Sequence, residues 1–402
     1  MLSFQAALAT IEQKLLESKR DPPTEILPLD QARGRVLAED VVADRDYPPF
    51  PRATRDGFAV RAANVAAIPA TLTCRGEVRA GEHFSGVLGP GECVAIMTGA
   101  PLPAGADAVV MLEYVQAAGS LVRVERAVVA RENVVERGSE ASAGALVLRR
   151  RRRLGAGEIG LLASVGKSQI HVYRPPQVAI LPTGDEVVPL ERRPEWFQVR
   201  NSNAFALAAQ VAEAGGIPQR LPIAPDEKIA LRRLIEEGFD SDLLLVSGGV
   251  SKGKYDHVRH VLEELGAEFH VQGVAIRPGK PLVFGQAKEK PFFGLPGNPV
   301  STYVTFELFA RPTIAWLGGA EFEPPIFLRA RLGQPFRQKL DLTVFTPARV
   351  EVRQGEPFVD VVGWLGSGDL VGLAVANCFL VIHPEQTDLA AGDWVDVLPR
   401  RG

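Results

Sequence analysis

The chain has 402 residues, more than a single hydrophobic core usually supports, so its length predicts roughly two to four domains. Its 46% hydrophobic and 23% charged residues exclude a disordered protein, and its net charge of −3 argues against a nucleic-acid-binding one. No uninterrupted apolar run is long enough to cross a membrane, and three isolated cysteines argue against a disulfide framework and predict a cytoplasmic location.

The first part of the chain predicts two units, one inserted into the other. Residues 1–45 begin with an amphipathic helix, SFQAALATIEQKLLESK, whose pattern does not fit a signal peptide. Residues 46–137 show short apolar runs separated by glycine and proline, which is typical of a small β-rich domain. Residues 138–175 contain a helix-like segment, GAGEIGLLASVG, and we group them with residues 1–45 as an elongated N-terminal domain.

Residues 176–317 alternate between strand and helix patterns. The helical segment NSNAFALAAQVAEAGG has Asn201 or Ser202 as its predicted N-cap and Gly215 after its end. The alternation predicts a doubly wound, mostly parallel sheet with helices on both faces. Residues 318–402 return to strand patterns and predict a C-terminal β-barrel-like domain. The predicted fold class is therefore a multidomain α/β protein.

Three strands of the predicted sheet end in loops rich in turn residues and polar groups: PTGDE (182–186), SGGVSKGKYD (247–256) and LPGNP (295–299). In open α/β sheets, ligands bind at the carboxyl ends of strands, near the point where the strand order reverses. We therefore expect these three loops to form one crevice.

Two basic or glycine-rich segments near this crevice have alternative explanations. An anion-binding nest of backbone N–H groups and hydroxyls could form from Ser247, Gly248, Gly249 and Ser251. A tight turn with positive φ angles explains that stretch equally well. In IRPGKP, Arg277 suits bidentate oxyanion contacts and Lys280 acts as a point charge. Taken alone, IRPGKP is better explained by two solvated charges beside a turn.

Four carboxylates near the same loops are also open to two interpretations. Asp185 and Glu186 follow a buried strand directly and could hold a hard cation such as Mg²⁺ that bridges to a substrate phosphate. Alternatively, they only cap or start a turn. Asp226 and Asp256 are each placed as the N-cap of a helix.

Other polar features lie outside the predicted crevice. Asp56 precedes a glycine in PRATRDGFAV, which indicates a hairpin or, with two arginines nearby, a loop that faces an anion. Thr98 begins a proline-rich loop in which its hydroxyl is the one candidate catalytic group. The arginine run at 149–153 is typical of a solvated surface, with anion steering or an acidic partner as the alternative. His257 and His260 share a helix side but have no third metal ligand at suitable spacing.

Taken in order, these motifs resemble one family along nearly the whole chain: the molybdopterin molybdenumtransferases, which are related to the C-terminal domain of gephyrin. The resemblance rests on PPF…DGFAV, MTGAPLPAGADAVVMLE, PTGDE, NSN, SGGVSKGKYD, RPGKP, LPGNPVS and GSGDL…ANCF. It implies a four-domain chain that forms a homodimer, with the third domain binding the pterin. It also implies that molybdate reacts with adenylylated molybdopterin to give molybdenum cofactor and AMP, with Mg²⁺ as cofactor. Contact with the molybdopterin adenylyltransferase is a further implication.

The resemblance also implies roles for individual residues that match the family's motifs. The implied catalytic residues are Asp56, Thr98, Glu186, Asp256 and Lys280. Glu186 and Asp256 are also the implied metal ligands. The implied substrate-binding residues are Gly184, Asp185, Asp226, Ser247, Gly248, Gly249, Ser251, Arg277, Pro296, Gly297, Asn298, Arg349 and Ser367. In this chemistry the carboxylates would hold the cation, while Lys280 and Arg277 would hold phosphate or molybdate oxygens.

Four positions depart from the family's usual pattern. Arg55 in PRATRDGFA replaces the methionine of DNSAMDGYA, and Glu140 replaces an aspartate. Gly273 stands where some members have lysine, and Arg277 where lysine is frequent. The changes at Glu140 and Arg277 preserve charge, whereas those at Arg55 and Gly273 bear on the arrangement of the anion pocket.

Two other interpretations compete with an enzyme. A silent molybdopterin carrier or gephyrin-like scaffold would need none of the acidic and basic residues that this chain retains, namely Asp56, Glu186, Asp256 and Lys280. A nucleic-acid binder built on the arginine run is disfavoured by the acidic net charge and by the absence of interleaved aromatic residues.

Overall fold

The computed structural model describes residues 1–18, 21–249, 257–339 and 341–400, and these contain three six-stranded sheets. The α-helices of the described residues are Phe4–Glu17, Ala156–Ser164, Asn203–Ala214, Lys228–Gly238, His257–Glu264, Pro299–Thr305, Arg311–Leu317 and Leu370–Val375, with a π-helical turn at Phe306–Ala310. Short 3₁₀ turns are Leu29–Gln31, Ala62–Val65 and Leu112–Tyr114. None of these helices is both long and apolar enough to span a bilayer.

The α/β sheet is formed by strands between residues 177 and 295. In spatial order its strands are Ile217–Arg220, Gln177–Pro182, Leu243–Ser247, Lys290–Leu295, Val283–Ala287 and Glu268–Gln272. The first four strands run parallel and the last two join by antiparallel pairing. Successive side chains of a strand point to opposite faces, so Val178 and Ile180 enter one core while Ala179 and Leu181 enter the other. The predicted doubly wound, mostly parallel sheet is confirmed.

Helices cover both faces of this sheet. Lys228–Gly238 and His257–Glu264 pack on one face, and Asn203–Ala214 and Arg311–Leu317 on the other. The N-terminal helix Phe4–Glu17 also packs there, which the predicted grouping of residues 1–45 with 138–175 does not anticipate. Its buried stripe contacts the α/β core because the same apolar pattern fits any apolar surface, and sequence alone does not name the surface.

The N-terminal unit and the inserted unit are built from antiparallel pairs and one sheet. In the N-terminal unit, Thr24–Pro28 pairs with Gln169–Tyr173, and Val41–Val42 with Leu146–Leu148, beside helix Ala156–Ser164. The inserted β-rich sheet has the spatial order Ala108–Met111, Gly57–Val60, Glu92–Ile96, Ala70–Val78, Leu121–Val124 and Val115–Ala118, with Arg52–Ala53 paired to Val134–Val135 beside it. The predicted β-rich insertion is confirmed.

The C-terminal region is a closed barrel of five strands. They follow the order Thr343–Arg353, Glu356–Val361, Leu328–Leu332, Trp394–Pro399 and Cys378–Ile382, and the last pairs with the first. Smaller pairs join Phe336–Arg337 to Asp388–Leu389 and Val187–Val188 to Val199–Arg200. A sixth strand of the barrel sheet, Ile276–Arg277, comes from the α/β region and pairs in parallel with Thr343–Arg353. The basic loop RPGKP therefore starts at the junction of sheet and barrel.

Candidate functional site

The described parts of the three polar loops meet at the carboxyl edge of the α/β sheet. Thr183 N–H donates to the Ser247 carbonyl at 3.0 Å, and Gly248 N–H donates to the Leu295 carbonyl at 3.1 Å. After the strand Gln177–Pro182, the next strand in the chain, Ile217–Arg220, pairs with it on one side. The one after that, Leu243–Ser247, pairs with it on the other side. The crevice thus lies where the strand order reverses, as expected for a ligand site in this fold class.

Asn203 ties two of these loops together. Its side-chain NH₂ group donates to Ser247 Oγ at 3.0 Å, to the Gly297 carbonyl at 2.8 Å and to Thr302 Oγ1 at 3.3 Å. Sequence reasoning gave Asn203 no role, because an asparagine beside a helix start is usually a cap. The capping bond comes instead from Asn201, whose Oδ1 accepts from Ala204 N–H at 3.2 Å. Ser202 makes no side-chain capping bond.

The glycines after Ser247 adopt the positive φ angles that the tight-turn interpretation requires. Gly248 has φ 96° and Gly249 has φ 66°. A Cβ on Gly248 would lie 2.9 Å from the Thr183 carbonyl oxygen, so a side chain there would collide with the neighbouring loop. The backbone consequently approaches the crevice without side-chain cover, while the Gly248 N–H itself is bonded to the Leu295 carbonyl. Ser251 and Asp256 lie outside the described residues.

Three carboxylates crowd the exit of the first strand. Asp185 Oδ1 accepts from Asp226 N–H at 3.0 Å. Burial raises the pKa of Asp226, and the negative charges of Asp185 and Glu186 raise it further, while His257 opposes them. The prediction that Asp226 caps a helix is wrong, because the helix Lys228–Gly238 starts after Glu227 without a side-chain cap. Asp226 instead faces like charges.

These oxygen donors are of the type that Mg²⁺ prefers. No group of three or more His, Cys, Asp or Glu side chains outside the gaps at 19–20, 250–256, 340 and 401–402 is arranged to hold a metal. Mg²⁺ is usually held by one or two carboxylates with water and substrate phosphates completing the shell, so a pair such as Asp185 and Glu186 fits it without a third carboxylate.

A basic pocket of about 1030 Å³ lies between the sheet and the barrel. Arg277, Lys280 and Ser367 line it, and both basic side chains are exposed. Asn298 Nδ2 donates to Ser367 Oγ at 2.9 Å, so the LPGNP loop and the GSGD loop meet at its wall. Within the described part of the chain, neither Arg277 nor Lys280 forms an ion pair. Two uncompensated positive charges make this pocket attractive to an oxyanion.

The acid in this wall, Asp369, has a structural role. It accepts hydrogen bonds from the N–H groups of Gly372 and Leu365 at 3.0 and 2.9 Å, at the start of the helix Leu370–Val375. These bonds lower its pKa, with the Gly372 bond the largest cause. Asp369 therefore caps a helix and holds the GSGD loop in place.

Asp56 and Thr98 form a separate pair in the β-rich unit. Asp56 Oδ1 accepts from Thr98 N–H at 2.7 Å and from Thr98 Oγ1 at 2.8 Å. The backbone bond, followed by the hydroxyl bond, lowers the pKa of Asp56, so the carboxylate is charged at neutral pH. Both side chains are solvent-exposed. Their described partners are each other, and the pair lies apart from the α/β crevice along the chain.

Two further predicted residues occupy other surroundings. Arg349 lies on a barrel strand, exposed, and its Nε donates to Glu351 at 2.8 Å. Glu140, the departure in RGSEASAG, pairs with Arg52 at 2.9 Å. Neither is placed in the basic pocket by its described contacts.

The five-arginine run is mostly solvated, as its sequence predicts, since Arg149, Arg150, Arg152 and Arg153 are exposed. Arg152 pairs with Glu158 at 2.9 Å, and Arg153 donates to the Gly34 carbonyl at 2.8 Å. Arg151 donates to the Gly319 carbonyl at 3.4 Å and lies over the Tyr173 ring. Arg151 and Arg153 also contact residues outside the N-terminal unit, since Arg153 donates to the Ala214 carbonyl at 3.5 Å.

Three family models match successive parts of the chain. They are described as the MoeA N-terminal region (domain I and II), over residues 2–166, a probable molybdopterin binding domain, over 179–316, and the MoeA C-terminal region (domain IV), over 329–399. Sequence relatives named molybdopterin molybdenumtransferase include one from Nostoc sp., 35% identical over 393 residues, covering 95% of this chain and 90% of the relative. Another, from Bacillus subtilis, is 35% identical over 396 residues, covering 96% and 92%.

Solved structures of a molybdopterin biosynthesis MoeA protein from Pyrococcus horikoshii are also similar over the full length of both chains. One has a TM-score of 0.75 at 33% sequence identity. A second has a TM-score of 0.82 at 27% identity. The whole multidomain arrangement, and not only the α/β sheet, is therefore shared with these structures.

Proposed function

The chain belongs to the MoeA family of molybdopterin molybdenumtransferases, and we propose that it catalyses the reaction for which its relatives are named, the insertion of molybdenum into molybdopterin. In this proposal the substrate is adenylylated molybdopterin, molybdate supplies the metal, and molybdenum cofactor and AMP are the products.

The observation that carries the proposal is the pairing of the crevice with the basic pocket. The crevice offers a glycine backbone without side-chain cover, and the pocket offers Arg277 and Lys280 without ion-pair partners among the described residues. The proposed substrate has a phosphoanhydride and meets a second oxyanion, so it brings several negative charges together. Fixed positive groups that are already in place stabilise such charge without reorganising during the reaction.

The carboxylates beside the crevice have a complementary part in the proposal. Asp185 and Glu186 would hold a Mg²⁺ ion, which when bound offsets the charge of the phosphoanhydride. Burial and the charges of Asp185 and Glu186 raise the pKa of Asp226, and a cation beside it would favour its ionised form. Asp256 remains a proposed ligand on the strength of the motif alone.

We also propose that the working form is a homodimer. Asp56 and Thr98 are exposed and make their described contacts with each other, so a second surface is needed to bring them to a substrate. A second copy of the chain would supply its crevice to this pair. We further infer a cytoplasmic location, supported by three free cysteines, and handover of the substrate by the adenylyltransferase.

The deciding experiment is AMP release from adenylylated molybdopterin by the purified protein with Mg²⁺, with and without molybdate. Release that depends on molybdate supports the transferase, and a parallel reaction with tungstate tests the choice of oxyanion. If the substrate binds but AMP never appears, the protein is a carrier or scaffold, and the PRATRDGFA loop is the first place to look for the cause.

A further inference from the structure

Two of the three cysteines of the chain lie side by side in the β-rich unit. Cys74, on the strand Ala70–Val78, is the register partner of Cys93, on the parallel neighbour Glu92–Ile96. Residues directly opposite each other on neighbouring strands have Cα atoms about 5 Å apart, within the range of about 4.4–6.8 Å that disulfides span. Both residues are free thiols, and the proposed reaction uses neither of them.

Both side chains point to the same face of the sheet. Cys93 belongs to the buried core that also contains Leu72 and Val122, and Cys74 packs against that core. Val94, the residue after Cys93, belongs to the core on the opposite face. Since successive side chains of a strand alternate between the two faces, the sulfur atoms of Cys74 and Cys93 share one side of the sheet.

The two thiols differ in their access to solvent. Cys93 is fully buried, whereas Cys74 is half-buried and its Sγ donates to the Gly76 carbonyl at 3.3 Å. Burial, together with the neighbouring Cys74 thiol, raises the pKa of Cys93 to about 12, so Cys93 stays protonated at neutral pH. An oxidant from solvent therefore meets Cys74 first, and Cys93 is the thiol held beside the product.

The strand beside Cys74 is irregular. Its pairing with Glu92–Ile96 shifts register between Cys74 and Glu77, and Gly76 within this irregularity has φ 151° with open space where a Cβ would lie. A bulge of this kind bends its strand and disrupts the ladder locally. The backbone at Cys74 is therefore held less tightly than in a regular strand, which leaves room for the adjustment that bond formation needs.

We propose that Cys74 and Cys93 are a modification site, a thiol pair that hydrogen peroxide oxidises reversibly to a disulfide. In the first step the ionised Cys74 sulfur attacks a peroxide oxygen and becomes a sulfenic acid, and the departing hydroxide takes the proton that Cys74 released. In the second step the Cys93 sulfur attacks the Cys74 sulfur, and the hydroxide that leaves takes the Cys93 proton. Two thiols and one peroxide thus give one disulfide and two waters.

The disulfide protects the β-rich core from irreversible oxidation. A sulfenic acid with no thiol beside it is oxidised further to sulfinic and sulfonic acids, which are not returned to a thiol by ordinary reductants. Such a charged group on Cys74 would lie against the apolar core that contains Leu72 and Val122, where it is costly. In a reducing compartment the disulfide is transient, because small thiols return it to two cysteines.

The test is peptide mapping of the purified full-length protein after exposure to hydrogen peroxide and alkylation of the remaining thiols in denaturant. Cleavage after arginine and lysine places the three cysteines on separate peptides, 62–75, 80–123 and 354–400. The peroxide concentration is one at which the third peptide stays reduced. We expect the first two peptides to be joined by a disulfide, and dithiothreitol to return them to two thiols that can be alkylated.

Cys378 provides a matched control in the barrel. It is buried, burial raises its pKa to about 12 as well, and its strand partners are Ala348 and Pro399. Cys378→Ala should leave the disulfide yield unchanged. Cys93→Ala should abolish the disulfide and raise several-fold the Cys74 sulfenic acid that dimedone traps. Cys74→Ala, at the half-buried position, is a second variant that should form no disulfide.

A disulfide between Cys74 and Cys93 whose yield does not depend on protein concentration supports the proposed site. The inference is wrong if all three thiols survive the peroxide, or if wild-type Cys74 accumulates as sulfinic acid with no disulfide. It is equally wrong if Cys93 is joined to Cys378, or if Cys74 is joined to Cys74 of another chain. Molybdate-dependent AMP release is measured on the reduced protein, so the thiol pair and the transferase can each fail without the other.

Discussion

The crevice of the α/β sheet and the Asp56–Thr98 pair of the β-rich unit differ in how many parts of the chain position their candidate residues. In the crevice, loops from distant parts of the chain are joined by Asn203 and by backbone bonds such as Gly248 to Leu295. The side chain of Asp56 has its two described hydrogen bonds with Thr98, and the pair lies exposed where two interior strands of its sheet begin and end. Packing within one chain thus assembles the first site, whereas the second presents a charge that needs another surface to act on.

The largest effect should follow from removing the lysine of the basic pocket. Lys280→Met should lower kcat/KM for molybdate-dependent AMP release by roughly 100-fold or more, because a preorganised charge is lost where anionic charge is concentrated. Melting temperature should be unchanged, since Lys280 is exposed. Lys288→Met, at an exposed turn of the same sheet, is the control. Full activity of the Lys280 variant would remove the pocket from the reaction.

The Asp56–Thr98 pair and the crevice can be inactivated separately, on different chains of a mixed dimer. Asp56→Asn should lower activity at least about tenfold, and Asp107→Asn, a second exposed loop carboxylate that accepts a backbone bond, should not. If a dimer joins the pair of one chain to the crevice of the other, mixing Asp56→Asn and Lys280→Met chains after unfolding should restore about a quarter of wild-type activity. No recovery, with mixed dimers demonstrated by mass spectrometry, would contradict that arrangement.

Asn203 should have a smaller effect, and mainly on stability. Asn203→Ala leaves the acceptors on Ser247, Gly297 and Thr302 without their donor, which should cost about 1–3 kcal/mol in the free energy of unfolding. Asn298→Ala removes a single exposed bond to Ser367 and should cost less. Chemical denaturation of the two variants measures the difference, and equal losses would mean that Asn203 does not hold the loops together.

The smallest effect concerns Asp226, whose pKa is raised in the folded state. A raised pKa means that the folded protein binds the proton more tightly, so this contribution to stability is complete below the ordinary value of about 4 and is lost as pH rises. Asp226→Asn should therefore raise the melting temperature by about 1–2 °C at pH 7 and by nothing at pH 3.5.

The melting temperatures of the wild-type and Asp226→Asn proteins should also be compared with Mg²⁺ added. If the ion is held by these carboxylates, adding it should stabilise the wild-type protein and shrink the advantage of the Asn variant. Asp240→Asn, at an exposed position elsewhere in the same layer, is the control. A melting temperature for Asp226→Asn below that of the wild type at pH 7 would show that the carboxylates do not repel one another as described.

Periodic patterns predicted the fold well because they report what each element buries. The alternating strands, the β-rich insertion and the barrel all follow from local apolar spacing. The packing partner of the helix Phe4–Glu17 does not follow from this spacing, because an apolar stripe does not specify which surface it packs against. The cysteines show the same limit: Cys74 and Cys93, distant in sequence, lie opposite each other on neighbouring strands as free thiols.

Site residues were predictable where a motif placed them at a strand end. The exits at Gly184, Ser247 and Gly297 could be found because carboxyl ends of parallel strands share one edge. The role of Asn203 and the failure of Asp226 to cap its helix depend on distances across the sheet, which no local pattern encodes. The contact of Arg220 with the Phe205 ring joins a strand end to a helix start, and local sequence patterns do not predict it either.

The short strand Ile276–Arg277 has a practical consequence for dissecting this protein. It leaves the α/β layer to pair with the first residues of the barrel strand Thr343–Arg353, and the barrel-side loop at Ser367 receives the Asn298 amide in return. A fragment that ends at Leu317 would keep all six strands of the α/β sheet, but it would lose the partner that anchors the basic loop. Such a fragment would be a poor reporter of anion binding even if it folded, and inhibitor screening should use the full chain.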